Sequence, residues 1–234
     1  MVDAAKLERF KQLLDNAKAL VFDFDGLLAD SERFHFLAYN EVFEKYGHRI
    51  DETEYYKYWT SLGHGVTGEI ERHNLDLDPV AIRREKLPIF TRYCEDGSIL
   101  IRDEAKEMLA LLTKTGKTMT IASGSSSGDI RAVLRNSGYE SSFEIVMGHD
   151  TVPNLKPAPD IFIQTAELLE LKTWECLVFE DAEKGVFAAN EAEMPVVVIR
   201  TPETSDIYFD GADLTFDSHG ETVEILKQLL SGQG

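Results

Sequence analysis

Four short apolar runs punctuate the chain: Ala19–Phe24, Thr118–Ala122, Cys176–Phe179 and Pro195–Ile199, with a weaker fifth at Phe143–Met147. They are rich in Val, Ile and Phe and do not alternate strictly with polar residues. Runs of this kind predict strands buried on both faces of a parallel sheet. Between them the apolar positions fall at helical spacing. Ala105–Thr113 stops before Gly116, Asp129–Asn136 stops before Gly138, Asp160–Leu171 follows two prolines, and Ala182–Ala192 precedes Pro195. Strand followed by helix, repeated, gives crossover units and a sheet covered on both sides. The pattern therefore predicts an α/β fold with a Rossmann-like parallel sheet.

The segment from about Glu32 to Asp96 breaks this rhythm. It has no convincing buried strand, and "FHFLAYNEVFEKYG" and "VAIRREKLPIFTRYC" both carry helical spacing. It reads as an α-helical cap inserted directly after the first strand. The expected organisation is a discontinuous core of residues 1–31 and 98–234, interrupted by a cap of residues 32–97. Before the first strand, Leu7, Phe10, Leu13 and Leu14 mark an amphipathic helix.

Composition narrows the function classes. The chain of 234 residues is 43% hydrophobic, enough for a substantial core, and its formal net charge is -18. Such a field repels nucleic acid and anionic membranes, so neither is an expected partner. A phosphorylated substrate would need local cations. The two cysteines, Cys94 and Cys176, form no metal-type pair, and no stretch approaches the ~18 apolar residues of a membrane span. These features predict a soluble, cytoplasmic protein; they leave its oligomeric state open.

The candidate chemistry lies where the apolar runs end. In "VFDFDG", Asp23 and Asp25 stand two apart, a spacing that puts side chains on one face of an extended chain. They fall at the carboxyl end of the first strand, where open parallel sheets bind ligands. Two carboxylates this close need a shared proton or a cation. Asp-Gly is also ordinary turn chemistry. The third run ends in Glu180 and Asp181, which could cap the next helix or complete an oxygen-rich pocket with the first pair. Mg²⁺, which takes hard oxygen ligands, suits that pocket. The second run ends in Ser123 and Gly124, and "SSSG" then leads into a helix whose N-terminus could receive an anion. Lys156, stiffened by Pro157 and Pro159, could neutralise carboxylates and grip a phosphate.

In order and spacing, these four segments resemble the haloacid dehalogenase superfamily of phosphotransferases, and the insert resembles the small helical cap of its beta-phosphoglucomutase-like branch. The resemblance implies that Asp23 is a nucleophile that forms an aspartyl-phosphate and that Asp25 is the general acid/base. It implies that Ser123, Gly124 and Lys156 hold the phosphoryl group. It places Mg²⁺ on Asp23, the Asp25 main-chain carbonyl and Asp181, with Glu180 as ligand or neighbour. The second Asp argues against true dehalogenation, whose branch lacks it.

The cap would select the substrate. His35 in "DSERFHF" is a candidate substrate contact. In "SLGHGVTGEI" no Arg or Lys follows Gly63, whereas the mutases carry there an Arg for a second phosphate. The reading is a Mg²⁺-dependent phosphatase of a small, sugar-phosphate-like metabolite. The alternatives are a hexose-phosphate mutase and a phosphate- or Mg²⁺-binding regulatory module.

Overall fold

The structure, a computed structural model, describes residues 3–61 and 64–231. By backbone contacts the chain divides into two compact units, Met1–Asp30 with Leu100–Gly234, and Ser31–Ile99.

The first unit opens with α1 (Ala4–Asn16) and β1 (Ala19–Phe22), and resumes after the insert with α6 (Asp103–Thr113) and β2 (Thr118–Ala122). It continues through α7 (Ser127–Ser137), β3 (Ile145–Met147), α8 (Asp160–Leu168), β4 (Cys176–Glu180), α9 (Glu183–Glu191), β5 (Val196–Ile199), β6 (Leu214–Phe216) and α10 (His219–Ser231). The six strands form one sheet in the order β3-β2-β1-β4-β5-β6. Every pairing is parallel. β1 lies inside the sheet, with Phe22 aligned to Ile121 on one side and Phe179 on the other. All four of its residues are fully buried, which explains the unbroken apolar run. Leu20, Val21 and Phe22 each contribute roughly 1.5–3 kcal/mol through burial. Phe22 stacks on Phe179 at 4.8 Å, and Phe10 of α1 meets Phe179 and Phe216 edge-on. α1 thus adds an aromatic anchor to one face of the sheet.

Several boundaries differ from the sequence expectation. β1 ends at Phe22, two residues before Phe24. α8 ends at Leu168 rather than Leu171, because Glu170 takes a left-handed conformation with φ 57°. α7 begins two residues earlier than predicted, since Ser126 caps it by accepting the Asp129 N–H. β6 carries no apolar run long enough to stand out; its three residues pair with β5.

The second unit is helical. It comprises α2 (Glu32–Glu44), the single turn α3 (Glu52–Glu54), π-helical Tyr55–Ser61, α4 (Gly65–Arg72) and α5 (Pro79–Glu95). α2 packs along α5. Asn40 secures the connection after α2, its side chain exchanging two hydrogen bonds with the backbone of Ile50, at 2.8 and 3.3 Å. Among the described residues no helix is long and apolar enough to cross a membrane.

Candidate active site

The carboxyl ends of β1, β2 and β4 are neighbours in the sheet, and the polar side chains gather there. Asp23 continues the β1 ladder by one bond, its N–H donating to Phe179 O at 2.9 Å. The chain then turns. Gly26 has φ +80°, and its N–H donates to Ala29 O at 3.0 Å. Asp25 therefore lies beyond β1, bridged to Ala29 across the turn that Gly26 opens. On β2, Ser123 follows the last strand residue, with its N–H on Met147 O at 3.1 Å. Glu180 closes β4 and Asp181 follows it.

Lys156, which precedes α8, joins these ends. Its ammonium donates to Asp23 Oδ1 at 2.7 Å, Ala122 O at 2.8 Å and Glu180 Oε1 at 2.5 Å. Its side chain is 4% exposed, so three acceptors compensate a cation that has lost nearly all its water. Ser123 Oγ donates to Asp25 Oδ2 at 3.0 Å and accepts the Ser125 N–H at 3.1 Å. The hydroxyl is thus oriented from both sides, and it orients the Asp25 carboxylate.

Two glycines make room for the cluster. A Cβ on Gly26 would stand 2.4 Å from Asp181 Oδ2, and one on Gly185 would stand 1.9 Å from the carboxyl carbon of Glu180. Real Cβ atoms do not approach so closely. Asp181 does not cap the following helix: the capping position of α9 is Ala182, without a side-chain bond. Nothing in helix architecture accounts for that buried carboxylate.

The electrostatics follow from burial. Loss of solvent pushes the Asp23 carboxyl up to about 7, helped by the negative charges of Glu180 and Asp25 and opposed by Lys156. Asp181 is pushed well above the usual carboxylate range, first by burial and then by Asp23 and Glu180. Burial alone would lower Lys156, but Asp23 and Glu180 outweigh it and hold the ammonium protonated.

Oxygens of Asp23, Glu180 and Asp181 lie within 4.8 Å of one another. Lys156 bonds two of these carboxylates, and Asp25 adds its charge beside Asp23. An all-oxygen donor set with uncompensated negative charge fits a hard divalent cation such as Mg²⁺.

The structure thus brings Asp23, Asp25, Ser123, Lys156, Glu180 and Asp181 to one sheet edge. Gly124 follows Ser123 in the same loop, with open space where a side chain would be. At the α7 N-terminus, two of the N–H groups of the predicted anion site are taken up by the chain itself. Asp150 accepts the Ser127 N–H at 2.7 Å and its hydroxyl at 2.6 Å, while Ser126 takes the Asp129 N–H. One N–H is thus held by the Asp150 carboxylate and the other by the Ser126 hydroxyl. His35 belongs to the helical unit, where its ring stacks on Phe90 at 4.0 Å and Nδ1 lies 2.6 Å from Lys86 Nζ. The loop after Ser61 includes Leu62 and Gly63, which lie outside the described residues. Gly26 and Gly185 were missed as site components, although both sit close to an acidic pair in the sequence.

Comparison with known proteins identifies the family. The haloacid dehalogenase-like hydrolase family matches residues 20–199. The fructose-1-phosphate phosphatase YqaB of Escherichia coli (strain K12) is 32% identical over 77% of this chain and 95% of its own length. The phosphorylated carbohydrates phosphatase of Thermotoga maritima is 26% identical over 91% of this chain and 100% of its own. Among solved structures, CbbY from Rhodobacter sphaeroides in complex with phosphate superimposes with a TM-score of 0.73 at 27% identity, covering 88% of this chain and 96% of that one. A family match spanning most of the chain and a relative of this identity show the family, and the chain belongs to the haloacid dehalogenase-like hydrolases.

Proposed function

We propose that the protein is a Mg²⁺-dependent phosphatase of small phosphorylated carbohydrates, working through an aspartyl-phosphate on Asp23. The observation that carries this reading is the Asp23–Lys156–Glu180 chain at 2.7 and 2.5 Å beside the Ser123–Asp25 hydrogen bond. It provides a fixed carboxylate, a fixed cation and a second carboxylate oriented by a hydroxyl. The relatives named as phosphatases of fructose 1-phosphate and phosphorylated carbohydrates support the substrate class.

In this reading the Asp23 carboxylate attacks phosphorus as the bond to the leaving alkoxide breaks, and Asp25 gives that oxygen its proton. Asp25 then takes a proton from water, whose oxygen attacks the aspartyl-phosphate, returning Asp23 and inorganic phosphate. Ser123, the Gly124 backbone and Lys156 hold the phosphoryl oxygens; Lys156 offers the local cation that a protein of net charge -18 needs for an anionic substrate. Asp23, Asp181 and the Asp25 carbonyl would hold Mg²⁺, with Glu180 completing the carboxylate group while steering Lys156. When bound, the ion supplies charge neutralisation at the phosphoryl group.

The test is phosphate release from a panel of sugar phosphates with Mg²⁺. Turnover of at least one sugar phosphate is expected. Asp23→Asn should reduce it by at least about 10³-fold, and Asp25→Asn by about 10²–10⁴-fold. No release across the panel, or an active Asp23→Asn, rejects the reading. Formation of glucose 6-phosphate from β-glucose 1-phosphate instead of free phosphate would make the enzyme a mutase.

A further inference from the structure

The helical unit holds a second cluster of metal-ligating side chains that the phosphatase reading does not use. His48 lies in the connection after α2, while Glu69 and His73 stand four residues apart at the end of α4. Nε2 of His48 is 2.8 Å from Glu69 Oε1, and Nε2 of His73 is 3.4 Å from the same oxygen. Glu54 Oε2 lies 3.5 Å from His73 Nε2. Three donor atoms, one from each of His48, Glu69 and His73, fall within 4.8 Å of one another.

We propose that His48, Glu69 and His73 form a Zn²⁺-class site, open at a fourth position that Glu54 or water can fill. The donor chemistry is two imidazole nitrogens and a carboxylate oxygen, a set that suits Zn²⁺ and its borderline neighbours and differs from the all-oxygen cluster of the core. With bond lengths near 2.0–2.2 Å, tetrahedral ligand atoms stand roughly 3.3 Å apart. The observed separations of 2.8, 3.4 and 3.5 Å bracket that figure.

Glu69 is the anchor. Its side chain is fully buried, and Oε2 accepts the Trp59 indole N–H at 3.1 Å and the Arg72 guanidinium. Those bonds fix the carboxylate and turn Oε1 toward the two imidazoles. Arg72 also reaches Glu54 Oε2 at 3.1 Å and, through Nε, His73 Nε2 at 3.4 Å. With two carboxylates and one guanidinium, the cluster remains net negative when both histidines are neutral. His73 and Glu54 are 36% and 40% exposed, so an ion can enter from solvent. The ion would tie the loop carrying His48 to α4.

The test is Co²⁺ binding by the untagged full-length protein, stripped of metal and held in saturating Mg²⁺ to occupy the core carboxylates. One equivalent of Co²⁺ should produce the visible bands of low-coordinate cobalt, and Zn²⁺ should bleach them. His73→Gln, at the exposed edge, should weaken Co²⁺ binding by at least about 100-fold, and His48→Gln should do the same. Asp181→Asn should leave the signal intact, separating this site from the core cluster. Absence of the bands in the wild-type protein, or equal binding by His73→Gln, overturns the proposal. So does loss of the signal in Asp181→Asn.

Discussion

Asp181 occupies the volume that a side chain on Gly26 would fill: an added Cβ would lie 2.4 Å from Oδ2. Gly26 also has φ +80°, a conformation that favours glycine. Gly26→Ala therefore strains the turn after Asp25 and displaces Asp181 together. Phosphate release should fall by at least about tenfold, with the Mg²⁺ concentration for half-activation rising. Unchanged Mg²⁺ dependence would show that the Asp181 position does not govern metal use.

Gly185 makes the same kind of room for Glu180, more tightly. Gly185→Ala places a carbon 1.9 Å from the Glu180 carboxyl carbon, and Glu180 is held by Lys156. Overpacking a buried site of this kind costs about 1–3 kcal/mol. The denaturation midpoint should drop, and the surviving folded protein should hydrolyse substrate more slowly. Gly124→Ala is the control for folding, because a Cβ there meets open space; its midpoint should match the wild type.

The raised Asp23 carboxyl sets a pH dependence. Its folded value of about 7 lies above its ordinary value of 3.8. The native metal-free protein then binds more protons than the unfolded chain between these values, and this group's contribution to stability is lost as pH rises through 7. A divalent cation replaces the proton. Mg²⁺ should therefore raise the thermal midpoint more at pH 8 than at pH 5, and proton release should accompany its binding near pH 6. Equal stabilisation at both pH values would contradict the assignment.

His219 carries the opposite sign. Burial lowers its pKa below the ordinary 6.5, although its Nε2–H donates to Leu27 O at 2.8 Å. The unfolded chain takes up the proton first, so stability falls as pH drops below 6.5. His219→Gln keeps a donor and cannot titrate in that range. Its stability should vary less than that of the wild type between pH 6.5 and 5, as read by urea midpoints. Parallel profiles would remove His219 from the acid response.

The strands that lead to the cluster are legible because each is largely buried and reads as a mostly apolar run followed by a charged or hydroxyl side chain. Asp23, Ser123 and Glu180 stand out for that reason: polar atoms where a buried element stops. β6 was not legible, since Leu214–Phe216 is only three residues long and draws its pairing from β5. The "SSSG" stretch is only partly legible for a related reason. Its serines suit an anion, but the carboxylate that takes Ser127 comes from Asp150, whose approach depends on how β3 and its loop pack. Gly26 and Gly185 show the same gap from the other side. A glycine's missing atom has meaning only once its neighbour is known, and those neighbours are Asp181, on another strand end, and Glu180, one helical turn and a bend away. The His48–Glu69–His73 cluster likewise needs the chain connection between α2 and α4 before its spacing means anything.

The placement of β1 inside the sheet also bears on how the chain is made. Ala19 pairs with Thr118 on one side and Cys176 on the other. During synthesis the strand leading to Asp23 emerges before the helical insert and waits through all of it for its first partner. Its second partner arrives later still. Pairings this distant in sequence slow folding and leave apolar surface exposed meanwhile. The four buried residues that lead to Asp23 are thus the ones a nascent chain must shield longest. Chaperone demand during translation should be set by Ala19–Phe22 rather than by the insert.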